Sequence, residues 1–192
     1  MDGNLAYKED WREEIIGGKT VMMAPAQSNH NLIKYNIGLI FGNYLRGKRC
    51  TFLPDGEGLI LAEDTDEYIP DGMVVCDPEK IGWDVVRGAP DLVIEVLSPG
   101  TAMNDRRHKK DAYEAHGVRE YWIVDPRSLS IEQYILTDGK FILRDVYQKY
   151  AERELNRMKP EERAAVVTEF RCSLFDDLII RVDDVFERVT LY

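Results

Sequence analysis

The sequence contains no long apolar run and only three cysteines. None of its apolar stretches approaches the roughly 18 residues that a membrane-spanning helix needs, and residues 1–14 carry charged side chains in place of the apolar core of a secretory signal. Cys50, Cys76 and Cys172 form no CxxC pair, so the sequence predicts no disulfide framework. We therefore expect a protein without a membrane segment, located in the reducing cytoplasm.

Several catalytic motifs and an excess of positive charge are also missing. There is no HExxH, GxSxG, Walker A or GxGxxG pattern, which argues against metalloproteases, hydrolases of the GxSxG type, nucleotide-hydrolysing enzymes and dinucleotide-binding proteins. The 25 Lys and Arg residues are outnumbered by 35 Asp and Glu, for a formal net charge of −10. Such a protein repels nucleic acid on average, so binding it would require a bound metal or a local basic patch. The basic run 106–110 fits either phosphate contact or a solvated helix face.

The order of the predicted elements indicates an α/β fold with a mixed sheet flanked by helices. Apolar residues at helical spacing predict a helix over 31–46, with Ser28 or Asn29 as its N-cap. Strands are predicted over 51–53, 59–62, 68–76, 92–97 and 121–124, a second helix over about 101–116, and a hairpin formed by 131–136 and 141–146. The 192 residues show no repeat and no linker, so we expect one domain over residues 1–192.

Acidic residues interrupt or precede the strands predicted to be most buried. Glu95 lies within the apolar run 92–97, and a carboxylate buried alone costs several kcal/mol in rough terms. This favours a metal ligand or a paired acid, although a glutamate at an open strand end would also fit. Asp71 follows Pro70 and is either a second ligand or a turn residue. Asp91 shares a strand face with Glu95 and is either a further ligand or a loop cap.

The second predicted helix has an unusually polar stripe. Spacings of three and four place five residues on it: Asp105, Lys109, Ala112, Tyr113 and His116. If this stripe packs on the sheet, a buried lysine there suits neighbouring carboxylates or a substrate anion. The alternative is that Asp105 and Lys109 form a surface pair, but the opposite side of the helix is even more charged. His30, before the first helix, is interpreted as a structural or gating residue.

Three stretches of the chain resemble a known family. Residues 70–71 read PD, residues 90–99 read PDLVIEVLSP and residues 117–126 read GVREYWIVDP, with Asp105, Lys109 and Tyr113 between the last two. Together they are similar to the Uma family of restriction-endonuclease-like proteins, a bacterial branch of the PD-(D/E)XK nuclease superfamily. The resemblance covers most of the chain, and residues 90–126 are its specific part.

The resemblance implies a restriction-endonuclease-like core and a catalytic site. In the superfamily an Asp and a Glu hold Mg²⁺, with Mn²⁺ as a substitute, and a Lys completes the site; Asp71 and Glu95 match the two acids. The pattern asks for the Lys two residues after the second acid, where this chain has Leu97, and Lys109 on the following helix fits instead. The supporting residues are Asp105, Tyr113, Ser98 and His30.

Three functions remain open from the sequence. The first is a Mg²⁺-dependent DNA endonuclease, since Mg²⁺ on carboxylates activates water and neutralises a phosphate. The second is a nuclease-fold module that binds DNA or assembles with partners without catalysis, which the displaced lysine and acidic composition favour. The third is a metal-dependent enzyme acting on a small anion. The sequence leaves a homodimer open, and the role of the charged segment 150–167 as well.

Overall fold

The computed structural model describes residues 13–23 and 27–190. Our expectation of no signal core falls mostly on residues 1–12, which lie outside this range. The strands are β1 (Glu13–Ile16), β2 (Lys19–Met22), β3 (Thr51–Pro54), β4 (Gly58–Ala62), β5 (Asp66–Tyr68), β6 (Gly72–Val75), β7 (Val85–Arg87), β8 (Leu92–Val96), β9 (Glu120–Asp125), β10 (Ser130–Thr137), β11 (Lys140–Gln148), β12 (Glu169–Arg171) and β13 (Ile179–Arg181). The α-helices are α1 (Ser28–Leu45), α2 (Ala102–Asn104), α3 (Lys110–Ala115), α4 (Glu152–Leu155), α5 (Pro160–Ala164) and α6 (Val182–Val185).

A six-stranded mixed sheet carries the middle of the chain. Its order is β11-β10-β9-β8-β6-β3. Strands β8 and β9 are parallel, with Leu92 opposite Glu120, whereas β6 and β8 are antiparallel, with Gly72 opposite Ile94. The predicted fold class, a mixed sheet flanked by helices, is therefore confirmed.

The two faces of this sheet belong to different apolar cores. On one face Ile37 and Phe41 of α1 pack with Ile94. On the other face Val93 and Tyr113 pack with residues of a second sheet, whose order is β2-β1-β5-β4-β7. Because side chains alternate along a strand, Glu95 shares the face of Val93 and enters the second core, between the two sheets.

The predicted helices are present, with two differences. Helix α1 begins at Ser28 and its N-cap is Gln27, so the predicted caps are wrong; the side chain of Asn29 instead donates to the carbonyl of Thr190. The second helix is continuous from α2 to α3 but passes through a π-helical turn, Asp105–Lys109, that the apolar pattern did not indicate. The hairpin of β10 and β11 is confirmed.

The structure joins Cys50 and Cys76 in a disulfide, so the expectation of no disulfide is wrong for this pair. The two cysteines flank the paired strands β3 and β6, which bring them face to face across 26 positions of sequence. Since disulfides are rare in the cytosol, cysteine usage no longer supports a cytoplasmic location. Within the described ranges, no helix combines the length and apolar character needed to cross a membrane.

A buried carboxylate ties the C-terminal segment to the sheet. Oε1 of Glu120 accepts hydrogen bonds from Trp122 Nε1 and Gln133 Nε2, both at 2.6 Å. Its Oε2 accepts from the backbone N of Ser173 at 2.8 Å and from the Oγ of the same residue. The segment after β11 also supplies Phe170, Ile180 and four other apolar side chains to the core beneath α1: Leu178, Val182, Val185 and Phe186.

Candidate active site

The register of β6 and β8 brings two of the predicted acids to one place. Gly72 pairs with Ile94, so Asp71, just before β6, lies across from Glu95. Oδ2 of Asp71 accepts a hydrogen bond of 2.7 Å from the backbone N of Val96, which fixes the carboxylate against β8. The strands of these two acids are therefore neighbours in the sheet, and the catalytic role of both acids stays a prediction.

Lys109 extends from the π-helical turn into the space between the two sheets. Its side chain is 1% exposed, and Nζ lies 2.8 Å from Glu14 Oε1 and 3.1 Å from Glu95 Oε1. A third contact of 3.5 Å reaches Oδ1 of Asp105, four residues earlier. The inward orientation of this part of the polar stripe is therefore confirmed. Single π-helical turns within α-helices are frequent at functional sites.

Tyrosine side chains surround the lysine and its carboxylates. Tyr113 is fully buried, and its hydroxyl donates a hydrogen bond of 2.8 Å to Oε1 of Glu95. The hydroxyl of Tyr121 donates to the backbone carbonyl of Asp105 at 2.9 Å. The ring of Tyr113 packs at 5.3 Å from that of Tyr68 and 5.2 Å from that of Tyr121, measured between centroids. These rings exclude water, so the charges they enclose interact strongly.

The crowding of acids around one lysine perturbs the pKa values of the group. Burial raises the pKa of Glu95 well above its ordinary value, and the neighbouring acids raise it further against the opposing charge of Lys109. Burial also raises the pKa of Asp105. Burial alone would lower the pKa of Lys109, but the surrounding carboxylates outweigh it and raise that pKa well above the usual range. Lys109 is therefore a permanent cation.

Asp71 has different electrostatic surroundings from Glu95. His30 Nε2 lies 3.2 Å from Asp71 Oδ2, and Lys34 Nζ lies 3.6 Å from its Oδ1. Burial by itself would raise the pKa of Asp71, but its hydrogen bond with His30 and the charges of His30 and Lys34 hold that pKa below its ordinary value. The site thus contains one carboxyl whose pKa is lowered and one whose pKa is raised, which is how paired acids divide their roles.

Two residues of this site were missed by sequence reasoning. Glu14 is buried and contacts Lys109 from β1, and Lys34 contacts Asp71 from α1. A weak signal existed for each, because Glu14 alternates with buried Ile16 and Lys34 lies one helical turn after His30. Neither signal identifies a partner, since the Glu14–Lys109 contact spans 95 positions of sequence.

Other predicted residues lie outside the cluster around Lys109. His116 is exposed, so its place on the inward stripe is wrong; it lies just after Ala115, the last residue of the helix. Asp91 is at the far end of β8 and accepts from the backbone N of Cys76, as expected for the alternative of a loop cap. Ser98 follows β8, and its Oγ lies 3.1 Å from the Oγ1 of Thr101 at the start of the second helix.

The residues present fit a hard divalent cation held by few protein ligands. Among the described residues, no three His, Cys, Asp or Glu side chains converge as a preformed metal site. Mg²⁺, however, commonly uses one or two carboxylates and completes its shell with water. Asp71 and Glu95 provide two carboxylates across one strand pair. Burial is the main cause of the raised pKa of Glu95, and the charge of Asp71 adds a smaller repulsion of the kind that a cation relieves.

Comparisons with known proteins match most of the chain. Residues 4–166 match the model of a family described as "Uma2: Putative restriction endonuclease". The uncharacterized protein slr1290 of Synechocystis sp. is 32% identical over 139 residues, which cover 70% of this chain and 72% of that protein. The uncharacterized protein sll1609 of the same organism is 26% identical over 152 residues, with 77% and 86% covered.

A solved structure shares the fold. The crystal structure of a putative nuclease belonging to DUF820 from Anabaena variabilis has a TM-score of 0.69 and 17% sequence identity, and the match covers 93% of this chain and 91% of that one. At this identity the likeness concerns the fold alone. The residues around Lys109, from Glu14 to Tyr121, all lie inside the matched segment 4–166.

Proposed function

The chain belongs to the Uma2 family of putative restriction endonucleases, and from this premise we propose that it is a Mg²⁺-dependent DNA endonuclease with Asp71, Glu95 and Lys109 as its catalytic residues. The observation that carries the proposal is the buried ammonium of Lys109 beside the carboxylate pair, 3.1 Å from Glu95 Oε1. A water-excluded lysine among acids has no packing advantage over an apolar residue, because burying charges is costly. The presence of this buried ammonium suits the electrostatic stabilisation of an anionic substrate.

Lys109 acts as a fixed positive charge. Its raised pKa excludes the role of a proton acceptor at neutral pH, so its function is to stabilise the negative charge that develops on the phosphate in the transition state. Glu14 and Asp105 hold the ammonium at the buried end of the site through their contacts with Nζ. They are positioning residues, because they act through Lys109.

Asp71 and Glu95 would hold the metal ion. When bound, Mg²⁺ supplies positive charge at the phosphate and lowers the pKa of water at the site. Tyr113 orients Glu95 by donating to Oε1, and His30 with Lys34 keeps Asp71 ionised. Because its pKa is raised, cation binding at Glu95 competes with protonation and should strengthen as pH rises. The surrounding residues thus favour the ionised form of Asp71 more than that of Glu95.

A second candidate function is a nuclease-fold module that binds DNA or assembles with partners but does not cleave. The observation that favours it is the engagement of Lys109 with three carboxylates, which leaves its ammonium fully paired. In this case the cluster would stabilise the contact between the two sheets without reacting. The two functions differ in whether divalent cations change the behaviour of the protein towards DNA.

Nicking of supercoiled plasmid DNA tests the proposal. We expect nicking with Mg²⁺ or Mn²⁺, little with Ca²⁺ and none with EDTA, and we expect Asp71→Asn and Glu95→Gln each to abolish it. Glu152→Gln, on exposed α4, is the matched control and should nick at the wild-type rate. If no divalent cation supports nicking by the folded wild-type protein while DNA still binds, the non-catalytic module is the correct function.

A further inference from the structure

A second concavity lies beside the candidate active site, and the residues argued above do not account for it. It is a pocket of about 780 Å³. Residues 27–30 at the start of α1, residues 97–99 after β8 and residues 126–127 after β9 contribute to its wall. Strands β8 and β9 are parallel, and the crevice beyond the carboxyl ends of such strands is where open α/β sheets commonly bind ligands.

The charge of this pocket is opposite to that of the whole protein. None of its described lining residues is acidic, although the chain has a net charge of −10. Arg127 is exposed at the rim, and no described residue forms an ion pair with its guanidinium. The pocket therefore presents an anion with an exposed guanidinium and with no acid among its described lining residues.

The start of α1 adds backbone donors to the same wall. The helix is 18 residues long, its N-cap Gln27 makes no side-chain capping bond, and its first turn contains no acid. Its first intrahelical bond is donated by the N of Asn31 to the carbonyl of Gln27, so the amides before Asn31 lack intrahelical acceptors. Amides without intrahelical acceptors and the positive end of the helix dipole together favour an anion.

His30 provides an independent indication of a ligand. The residue is 9% exposed and forms part of the pocket wall, where its Nε2 is held by Asp71 at 3.2 Å. Its Nδ1 is buried and has no hydrogen-bond partner among the described residues. Buried polar atoms are rarely left unsatisfied, so a water, ion or ligand that reaches this ring nitrogen would complete its hydrogen bonding. The same ring contacts Asp71, so the pocket adjoins the proposed catalytic site.

We propose that this pocket binds a backbone phosphate of the nucleic-acid strand, next to the phosphate that is cleaved. The proposal rests on the proposed function and adds a substrate-positioning site to it. The amides at the start of α1 and the guanidinium of Arg127 bind the phosphate oxygens, and this contact sets the register of the strand relative to Glu95. One neutralised phosphate contributes about one unit to the salt dependence of DNA binding.

The variant Ser28→Asp tests whether the start of α1 binds a phosphate or has only a structural role. Ser28 is exposed in the first turn of α1, so an aspartate there stabilises the helix but repels an anion in the pocket. We expect an unchanged or higher melting temperature together with at least about tenfold weaker DNA binding. Asn156→Asp, exposed after α4 and outside the pocket, is the matched control for the added charge and should bind as the wild type does. Binding is measured by fluorescence anisotropy of a short labelled duplex in Ca²⁺, so that cleavage does not interfere.

Arg127→Gln supplies the second measurement. In a series of KCl concentrations, its log Kd against log salt should have a slope smaller by about one than that of the wild type. Arg153→Gln, an exposed arginine on α4, is the control and should keep the wild-type slope. Inorganic phosphate alone should raise the melting temperature of the wild type and not that of Ser28→Asp.

The outcomes distinguish this inference from the proposed function. If the wild type nicks DNA but Ser28→Asp binds as tightly as Asn156→Asp, the pocket assignment is wrong and the nuclease function stands. If inorganic phosphate binds in the pocket while both DNA measurements are unaffected by the variants, the ligand is a free phosphate and the assignment to nucleic acid is overturned. If the variants weaken DNA binding as expected but the wild type never nicks, the pocket is supported and catalysis is refuted.

Discussion

Replacing Lys109 by methionine removes the buried ammonium at nearly constant volume. Three carboxylate oxygens lie 2.8, 3.1 and 3.5 Å from Nζ. At an effective dielectric constant of 20, one such pair at 3 Å is worth about 5 kcal/mol before desolvation is subtracted, and removing one partner of a buried ion pair costs about 3–5 kcal/mol in practice. Since domains are stable by only about 5–15 kcal/mol, Lys109→Met should be folded but clearly destabilised.

The destabilisation should depend on pH in a defined direction. Without the ammonium, the pKa values of the carboxyls around it rise, so the folded state of Lys109→Met binds protons that its unfolded state releases. Stability then falls as pH increases above the ordinary carboxyl pKa values. Urea denaturation should therefore show a larger loss at pH 8 than at pH 6.

The catalytic effect is measured against the adjacent lysine. Lys110 is the matched control, because its Nζ lies 4.6 Å from the centroid of the Tyr134 ring and outside the carboxylate cluster. Lys109→Met should reduce plasmid nicking by roughly 10²–10³-fold, as expected for loss of one electrostatic stabiliser, whereas Lys110→Met should keep most of the rate. Equal nicking rates for the two variants, or wild-type stability of Lys109→Met at pH 8, would refute the reasoning.

Three further outcomes follow from the same structure. The pKa of Glu95 is raised in the folded state, so the contribution of its protonated form to stability is present below about pH 4.5 and is lost as pH rises through the folded pKa. Glu95→Gln should therefore be more stable than the wild type at pH 8. In urea titrations this difference should disappear near pH 4. Mg²⁺ should raise the melting temperature of the wild type by mass action, and calorimetry of the Asp71→Asn, Glu95→Gln double variant should show no such rise if these two acids hold the ion. Glu120→Gln should lower the free energy of unfolding by roughly 3 kcal/mol, because an amide has one acceptor oxygen and its NH2 group would face either the donors of Ser173 or those of Trp122 and Gln133. A loss below about 1 kcal/mol would contradict that reasoning, and nicking below the melting transition should be unaffected.

The parts of the site that could be predicted from the sequence are those encoded within a few residues. Glu95 contrasts with its apolar neighbours, Asp71 follows a proline at the start of a buried strand, and Lys109 falls on a polar helix stripe. Each of these signals is local; Glu95 and Lys109 are buried in the structure, and the side chain of Asp71 is 9% exposed. The mixed sheet followed from the order of strands and helices for the same reason.

The remaining parts depend on contacts between distant segments. Glu14 approaches Lys109 only because β1 of the second sheet packs over the central one. Cys50 and Cys76 meet because β3 and β6 pair, which no spacing of cysteines indicates. The π-helical turn leaves the apolar periodicity nearly unchanged over so short a helix, so it left no trace in the pattern.

The contacts of the Glu120 carboxylate extend the cooperatively folded unit beyond the segment that the family model matches. The family match stops at residue 166, yet the backbone and hydroxyl of Ser173 satisfy one oxygen of this buried acid. Shortening the chain to the matched segment would leave Oε2 without those donors and would uncover the apolar residues that Phe170 and Ile180 now cover. Related chains whose C-terminal segments differ should therefore carry a compensating change at the position of Glu120, so the two regions are expected to vary together.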